Sequence, residues 1–246
     1  MSAMAVGTDL AAYRSAVAEL APLVRLADAD EAGVLRVVDG RGAWWDRVER
    51  LTDTLGVVVD EPQPAPAAAH ERLRVLGVHV VVARRRLRAD VVATVAPVPA
   101  AHVVVDAWGA PSEAAVVLRD AVGWARVLAG GPLEVVAHAA TPTADVLALA
   151  RGRIGVSVTR ALGGAGVGDA LTAIALGPRR VEVRTDSAAA TIHVEIDDLE
   201  GRRIAAPRRE AAERVALRRL RDAVATGVRP GDLDELAHDD GILGVE

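Results

Sequence analysis

Val78 to Ala83 is an unbroken, mostly β-branched run that follows Gly77. Such a run predicts a strand buried on both faces of a parallel sheet. Gly56–Asp60 (GVVVD) reads the same way, and Ala65–Leu76 between them reads as a helix. Strand, helix and strand within so short a span make a βαβ unit, whose crossover is right-handed. Upstream, Ala3–Val6 is a short apolar run, Leu10–Leu20 is helical in pattern and Leu23–Ala27 is a second strand. Val34–Val38 is a weak strand. Ala43–Thr54 predicts a helix with Trp44, Val48 and Leu51 on one face at i, i+4 and i+7. Pro62, Pro64 and Pro66 then break the chain sharply.

Beyond Leu87 a helix is predicted over Arg88–Val95, halted by Pro97 and Pro99, then a buried strand at His102–Ala107. Pro111–Ala129 predicts a helix that stops at Gly130-Gly131. From there the period changes to two. Leu133–Ala137, Val146–Ala150, Ile154–Arg160, Leu171–Leu176, Arg180–Arg184 and Thr191–Asp197 read as strands. Alternation in GVSVTR, RVEVRT and TIHVEID leaves that sheet one solvated face. Pro207 opens a last long helix, with Ala216, Leu217, Leu220 and Val224 as its buried stripe and Gly227 at its end. The expectation is an α/β chain of two domains, residues 1–107 around a parallel sheet and residues 108–246 as an α+β domain with a largely antiparallel open sheet.

Composition narrows the chemistry. Of 246 residues 51% are hydrophobic, with Ala and Val prominent, and only 2% are aromatic. The core is therefore aliphatic, and the stacking material of a nucleic-acid surface is missing. The net charge of −5 also argues against nucleic acid. None of the 29 basic residues is Lys, so no Schiff base, pyridoxal attachment or P-loop lysine is available. Absence of Cys removes thiol nucleophiles and thiolate metal sites. Met1–Val6 has no basic n-region, and no apolar stretch reaches the ~18 residues of a membrane span. A cytoplasmic protein with no membrane partner is expected.

The stretch VVVDEPQPAPAAAHERLRVLGVHVVVARRRL resembles the middle of the Gfo/Idh/MocA oxidoreductases. In that family an apolar strand, a Thr-Pro turn and a helix opening near a His lead to G-K-H-V-x-V-E-K-P-L. Gly77, His79 and Leu87 fall on the family's Gly, His and Leu. Ala83, Arg84 and Arg85 replace Glu-Lys-Pro. The resemblance covers nearly the whole chain in order, including Thr226, Gly227 and Pro230 after the late helix. It implies a degenerate Rossmann-like first domain and a sheet domain used for pairing, hence a homodimer or a heteromer with a catalytic relative. Thiazolinyl imine reductases are similar in outline, and Gly7 and Tyr13 loosely match their phosphate-turn region.

The functional points of that pattern are altered. By the resemblance Gly7, Thr8, Asp28 and Pro64 are the cofactor positions, and Asp28 or Asp30 stands roughly 20 residues after the turn, as a ribose acid should. The turn itself reads Gly7-Thr8-Asp9-Leu10 where a pyrophosphate needs G-x-G-x-x-G, and Asp9 puts negative charge at the helix start. Arg84 cannot take over the family lysine's proton transfer, because a guanidinium stays protonated. Arg84 with Arg85, Arg86 and Arg88 could instead clamp a small anionic ligand. His102 and Asp106 share one strand face, and His138 and Asp145 fall where the family carries an Asp and a His on a helix. His193, Glu195 and Asp197 alternate on one strand, as a metal set or, in the plainer reading, as a solvated sheet face. Gly163–Gly168 follows a strand but leads into another strand, which suits a hairpin loop. These residues favour a non-catalytic relative with no cofactor, acting as an accessory or scaffold subunit or an anion binder. The alternative is an NAD(P)H-dependent reductase of an imine or sugar-like carbonyl with a rearranged site.

Overall fold

A computed structural model describes residues 3–28, 30–95, 100–163, 169–186 and 191–244. The described residues form two compact units, one within residues 3–85 and 209–241, the other within residues 86–208 and 242–244.

The first unit opens with β1 (Met4–Gly7), α1 (Ala11–Glu19), β2 (Val24–Leu26) and β3 (Val34–Asp39). Then come α2 (Trp44–Glu49), β4 (Thr54–Asp60), α3 (Ala67–Val75) and β5 (His79–Ala83). All five strands are parallel, in the order β2-β1-β3-β4-β5. The β-branched runs of β3, β4 and β5 are buried on both faces, as parallel strands require. Val6, Leu35, Val58 and Val81 pack with Tyr13, Val17, Leu217 and Leu220 on one face. Val38, Val57, Val59 and Val82 pack with Trp44, Ala69, Leu73 and Leu236 on the other.

The second unit holds α4 (Ala89–Val92), β6 (His102–Gly109), one 3-10 turn at Pro111–Glu113 and α5 (Ala114–Ala129). Seven strands follow: β7 (Glu134–Thr141), β8 (Ala144–Arg151), β9 (Ile154–Leu162), β10 (Ala170–Leu176), β11 (Arg180–Asp186), β12 (Thr191–Asp198) and β13 (Gly201–Ile204). They make one eight-stranded sheet in the order β13-β12-β11-β10-β6-β9-β8-β7. Only the β6–β9 pair is parallel. Trp124, Ala121 and Leu128 of α5 pack on Val103, Val105, Val158, Leu171 and Ala173. Gly130 ends α5 in the left-handed conformation at φ 78°, which glycine adopts without strain. The chain returns to the first unit with α6 (Ala212–Thr226) and α7 (Asp232–Ile242).

The fold class is as read: a Rossmann-like parallel unit and a mostly antiparallel open sheet. Several elements differ in detail. The compact units divide after Arg85, and the strand expected to close the first domain by residue 107 runs in the centre of the second sheet. Its burial explains why: Val103, Val105 and Ala107 face α5 while Asp106 and Trp108 are exposed, an alternation that a strand buried on both faces would lack. Val34–Val38 proves central, lying between β1 and β4. The helix at Ala43 ends at Glu49, and Asp53 turns the chain at φ 51° before β4. The helix from Arg88 covers only Ala89–Val92; Pro97 and Pro99 lie outside the described residues.

Candidate functional site at the carboxyl edge of the parallel sheet

In an open parallel sheet ligands bind outside the carboxyl ends of the strands, where the strand order reverses. The reversal falls between β1, which leads to β2 on one side, and β3, from which β4 and β5 step away on the other. The edge there is formed by Gly7, Asp39, Asp60 and Ala83 with the turns that follow them.

The turn after β1 is short. Thr8 Oγ1 accepts the Leu10 N–H at 3.2 Å, and α1 starts without a side-chain cap. A Cβ at Gly7 would run into the Arg36 guanidinium, so this glycine makes room for a side chain of the neighbouring strand. Asp28 and Asp30 are exposed, and the Asp28 N–H donates to Glu31 Oε2 at 3.1 Å. Pro64 lies in the turn between β4 and α3. That turn is tied to α2: Trp44 Nε1 donates to the Gln63 carbonyl at 2.8 Å and the Gly42 N–H donates to Gln63 Oε1 at 2.9 Å. Trp44 is wholly buried, packed edge-on to Trp45 and His70, so it is core rather than a ligand platform.

The three arginines after β5 separate. Arg84 is 7% exposed and its Nη1 donates to Asp239 Oδ2 at 2.7 Å, the carboxylate being fully buried on α7. A buried carboxylate thus already neutralises the guanidinium that the sequence offers as an anion clamp. Arg85 is exposed and its N–H donates to Glu61, a residue held at φ 48°. Arg86 turns into the second unit, where it is buried and paired with Asp169 and Asp120. Next to the Arg84 pair, His70 Nε2 lies 2.9 Å from Asp240 Oδ2, which also accepts the Ala65 N–H at 3.0 Å. The successive acids Asp239 and Asp240 thus fasten α7 to β5 and to the start of α3.

One titratable pair at this edge remains partly open. The Tyr13 hydroxyl donates to Asp60 Oδ1 at 2.9 Å, from the first turn of α1 to the end of β4. Burial pushes the Asp60 carboxyl above the usual carboxylate range, against the pull of Tyr13 and Arg85. Burial first, then the Asp60 charge, pushes the Tyr13 phenol far above its ordinary value. This pair can hold or share a proton. Sequence reading missed it as a site; the only Tyr of the chain was its one signal.

The remaining candidates lie in the second unit. His102 and Asp106 share the sheet face opposite α5, and Asp106 is exposed. Between β7 and β8 the chain makes a hairpin with Pro142 and Thr143 at its turn. His138 Nε2 lies 3.1 Å from Asp145 Oδ1, and Arg160 pairs with the other Asp145 oxygen, so three strands are laced together. Glu195 and Asp197 pair with Arg202, and Asp197 also with Arg180, while His193 is exposed. Among the described residues no His, Asp and Glu cluster suited to a metal occurs. Gly164–Gly168 of the glycine run lie outside the described residues.

A mutant of KijD10, a 3-ketoreductase from Actinomadura kijaniata in complex with TDP-benzene and NADP, is similar with a TM-score of 0.67. The identity is 14%, over 99% of this chain and 96% of that one. The UDP-N-acetylglucosamine 3-dehydrogenase GnnA from Acidithiobacillus ferrooxidans gives 0.62 at 12% identity, over 100% and 97%. A dehydrogenase (MviM) from Clostridium difficile gives 0.59 at 9%, over 99% and 97%. The chain shares the fold of these solved oxidoreductases. At these identities the likeness is one of fold. No family model and no curated protein matches the sequence. Among the described residues no helix is long and apolar enough to cross a membrane.

Proposed function

We propose that this chain is a non-catalytic protein of the Gfo/Idh/MocA fold, an accessory or scaffold subunit that pairs with itself or with a catalytic relative. The observation that supports this most is the Arg84–Asp239 pair. At the position of the family lysine stands a buried guanidinium already held by a carboxylate, which gives up no proton at working pH. The nucleotide turn supports the same reading. NAD(P) would need close backbone approach there, yet Gly7 is occupied by Arg36, Asp9 follows it, and no other glycine stands in the turn. These residues do not fit a dinucleotide.

The second reading, an NAD(P)H-dependent reductase, is favoured by the Tyr13–Asp60 pair, which leaves a protonatable carboxyl at the ligand edge. Incubation with NADPH and a panel of cyclic imines and keto sugars, followed at the nicotinamide absorbance, decides between them. The expected result is no turnover above the protein-free rate. Turnover lost in Asp60→Asn would establish the reductase instead.

A further inference from the structure

Three hydrogen-bonding groups of the first unit converge on the last turn of α7. Arg84 follows β5, His70 stands near the start of α3, and the Ala65 N–H lies just ahead of that helix. Arg84 is 7% exposed and His70 2%. A guanidinium, an imidazole and a backbone N–H at a helix start are donors that proteins aim at small anions. Here the chain's own carboxylates occupy them. Arg84 Nη1 donates to Asp239 Oδ2 at 2.7 Å. Asp240 Oδ2 accepts the Ala65 N–H at 3.0 Å and lies 2.9 Å from His70 Nε2.

That occupancy is locally unfavourable. Asp239 and Asp240 stand in the last turn of α7, which carries no basic residue, and carboxylates there meet the negative end of the helix dipole. The fit is also incomplete: Asp240 Oδ1 and His70 Nδ1 are buried without a hydrogen-bond partner. A better-matched anion would recover the free energy lost at such orphaned atoms. The buried residues of α7 change along its length, from Leu233 and Leu236 to Asp239 and Asp240. Its first turn is anchored separately, since Asp232 accepts the Val82 N–H at 2.9 Å and is held by Arg219 at 2.6 and 2.9 Å. A segment with few buried apolar side chains opens most cheaply, and in α7 that segment is the acidic end.

We propose that the last turn of α7 is an internal plug in a small-anion site. Asp239 and Asp240 stand where an external dianion, a phosphate or a dicarboxylate, binds once the turn lifts between Leu236 and Asp239. Tethered carboxylates compete at an effective concentration on the order of millimolar or more, so the intact chain binds such an anion weakly. Neither pairing with a relative nor the absence of catalysis enters, so failure of the plug leaves the proposed function to its own assay.

Calorimetric titration of inorganic phosphate, and separately of succinate, tests this on the full chain, with sodium chloride at equal ionic strength as the blank. Asp239→Asn with Asp240→Asn should bind at least one of them about tenfold or more tighter than wild type, the worth of one charge-assisted hydrogen bond. Adding Arg84→Gln should remove that gain. Tighter binding of phosphate alone identifies a phosphate site, and of succinate alone a dicarboxylate site. A folded double variant that gains affinity for neither anion, or a gain that survives Arg84→Gln, overturns the plug. If the double variant does not fold, hydrogen exchange on the wild type decides. Amides of His238–Gly241 should then exchange faster, and saturably, as phosphate or succinate is added, while those of Asp232–Leu236 should not. Equal exchange in phosphate, succinate and chloride overturns the plug.

Discussion

The carboxyl edge of the parallel sheet and the outer strands of the eight-stranded sheet treat the same chemistry in opposite ways. In the parallel unit the charged groups near the ligand edge are turned inward: Arg84 to Asp239, His70 to Asp240, Tyr13 to Asp60. The eight-stranded unit buries charges of its own, Arg86 and Arg119 with Asp120, but its outer strands carry open ladders, such as Arg202 between Glu195 and Asp197. The difference is one of solvent. A buried pair is costly to break because the partner left behind is an uncompensated charge, whereas an exposed pair is screened and rehydrated. The carboxyl edge of the parallel sheet has thus committed its charges to internal pairs, and the outer strands of the second sheet keep theirs accessible.

The largest expected effect breaks the inward half. Arg84→Ala should cost about 3–5 kcal/mol of stability, because Asp239 is left buried without its guanidinium. Denaturant unfolding measures it, and the double change Arg84→Met with Asp239→Leu should recover most of the loss. Loss of ligand binding with unchanged stability would restore Arg84 as an open anion clamp.

The partner of Arg84 shows where sequence stops. The position of Arg84 after a buried strand was legible from the β-branched run Val78–Ala83. Its partner was not, because Asp239 lies 155 residues away on a helix whose sequence, DLDELAHDDGI, offers only Leu233 and Leu236 as buried apolar residues. Two successive acids in a helix read as a solvated face. The strands of each half, though not their order in the sheets, follow from their periods, and β13 is not legible because the four residues GRRI carry no alternation to detect. β6 is legible as a strand, but its sheet is not: its exposed alternate positions, Asp106 and Trp108, belong to a sheet with one solvated face.

Tyr13→Phe is the next test. It removes the hydroxyl that Asp60 accepts, and a hydrogen bond to a charged or chargeable carboxyl contributes about 1.5–3 kcal/mol. The loss should appear in unfolding at neutral pH.

A smaller effect sharpens the comparison through pH. The folded-state pKa of Asp60 is raised by burial, so between its ordinary range and that higher value the native protein binds more protons than the unfolded chain. Stability from this group therefore falls as pH rises through that window. Asp60→Asn should gain in melting temperature relative to wild type at neutral pH, with the gain vanishing below the ordinary Asp range. A gain that grew toward acid would contradict the direction of the shift. The smallest effect belongs to the outer strands: Arg202→Ala should leave the melting temperature nearly unchanged, since its guanidinium is mostly in solvent.

The central claim, that the carboxyl edge of the parallel sheet is closed by internal pairs and takes no dinucleotide, is tested most directly by titrating the full chain with NADPH in a calorimeter. No heat of binding is expected through the micromolar range. Saturable micromolar binding that is lost when Gly7 is changed to a larger residue would contradict the account and return this edge to cofactor chemistry.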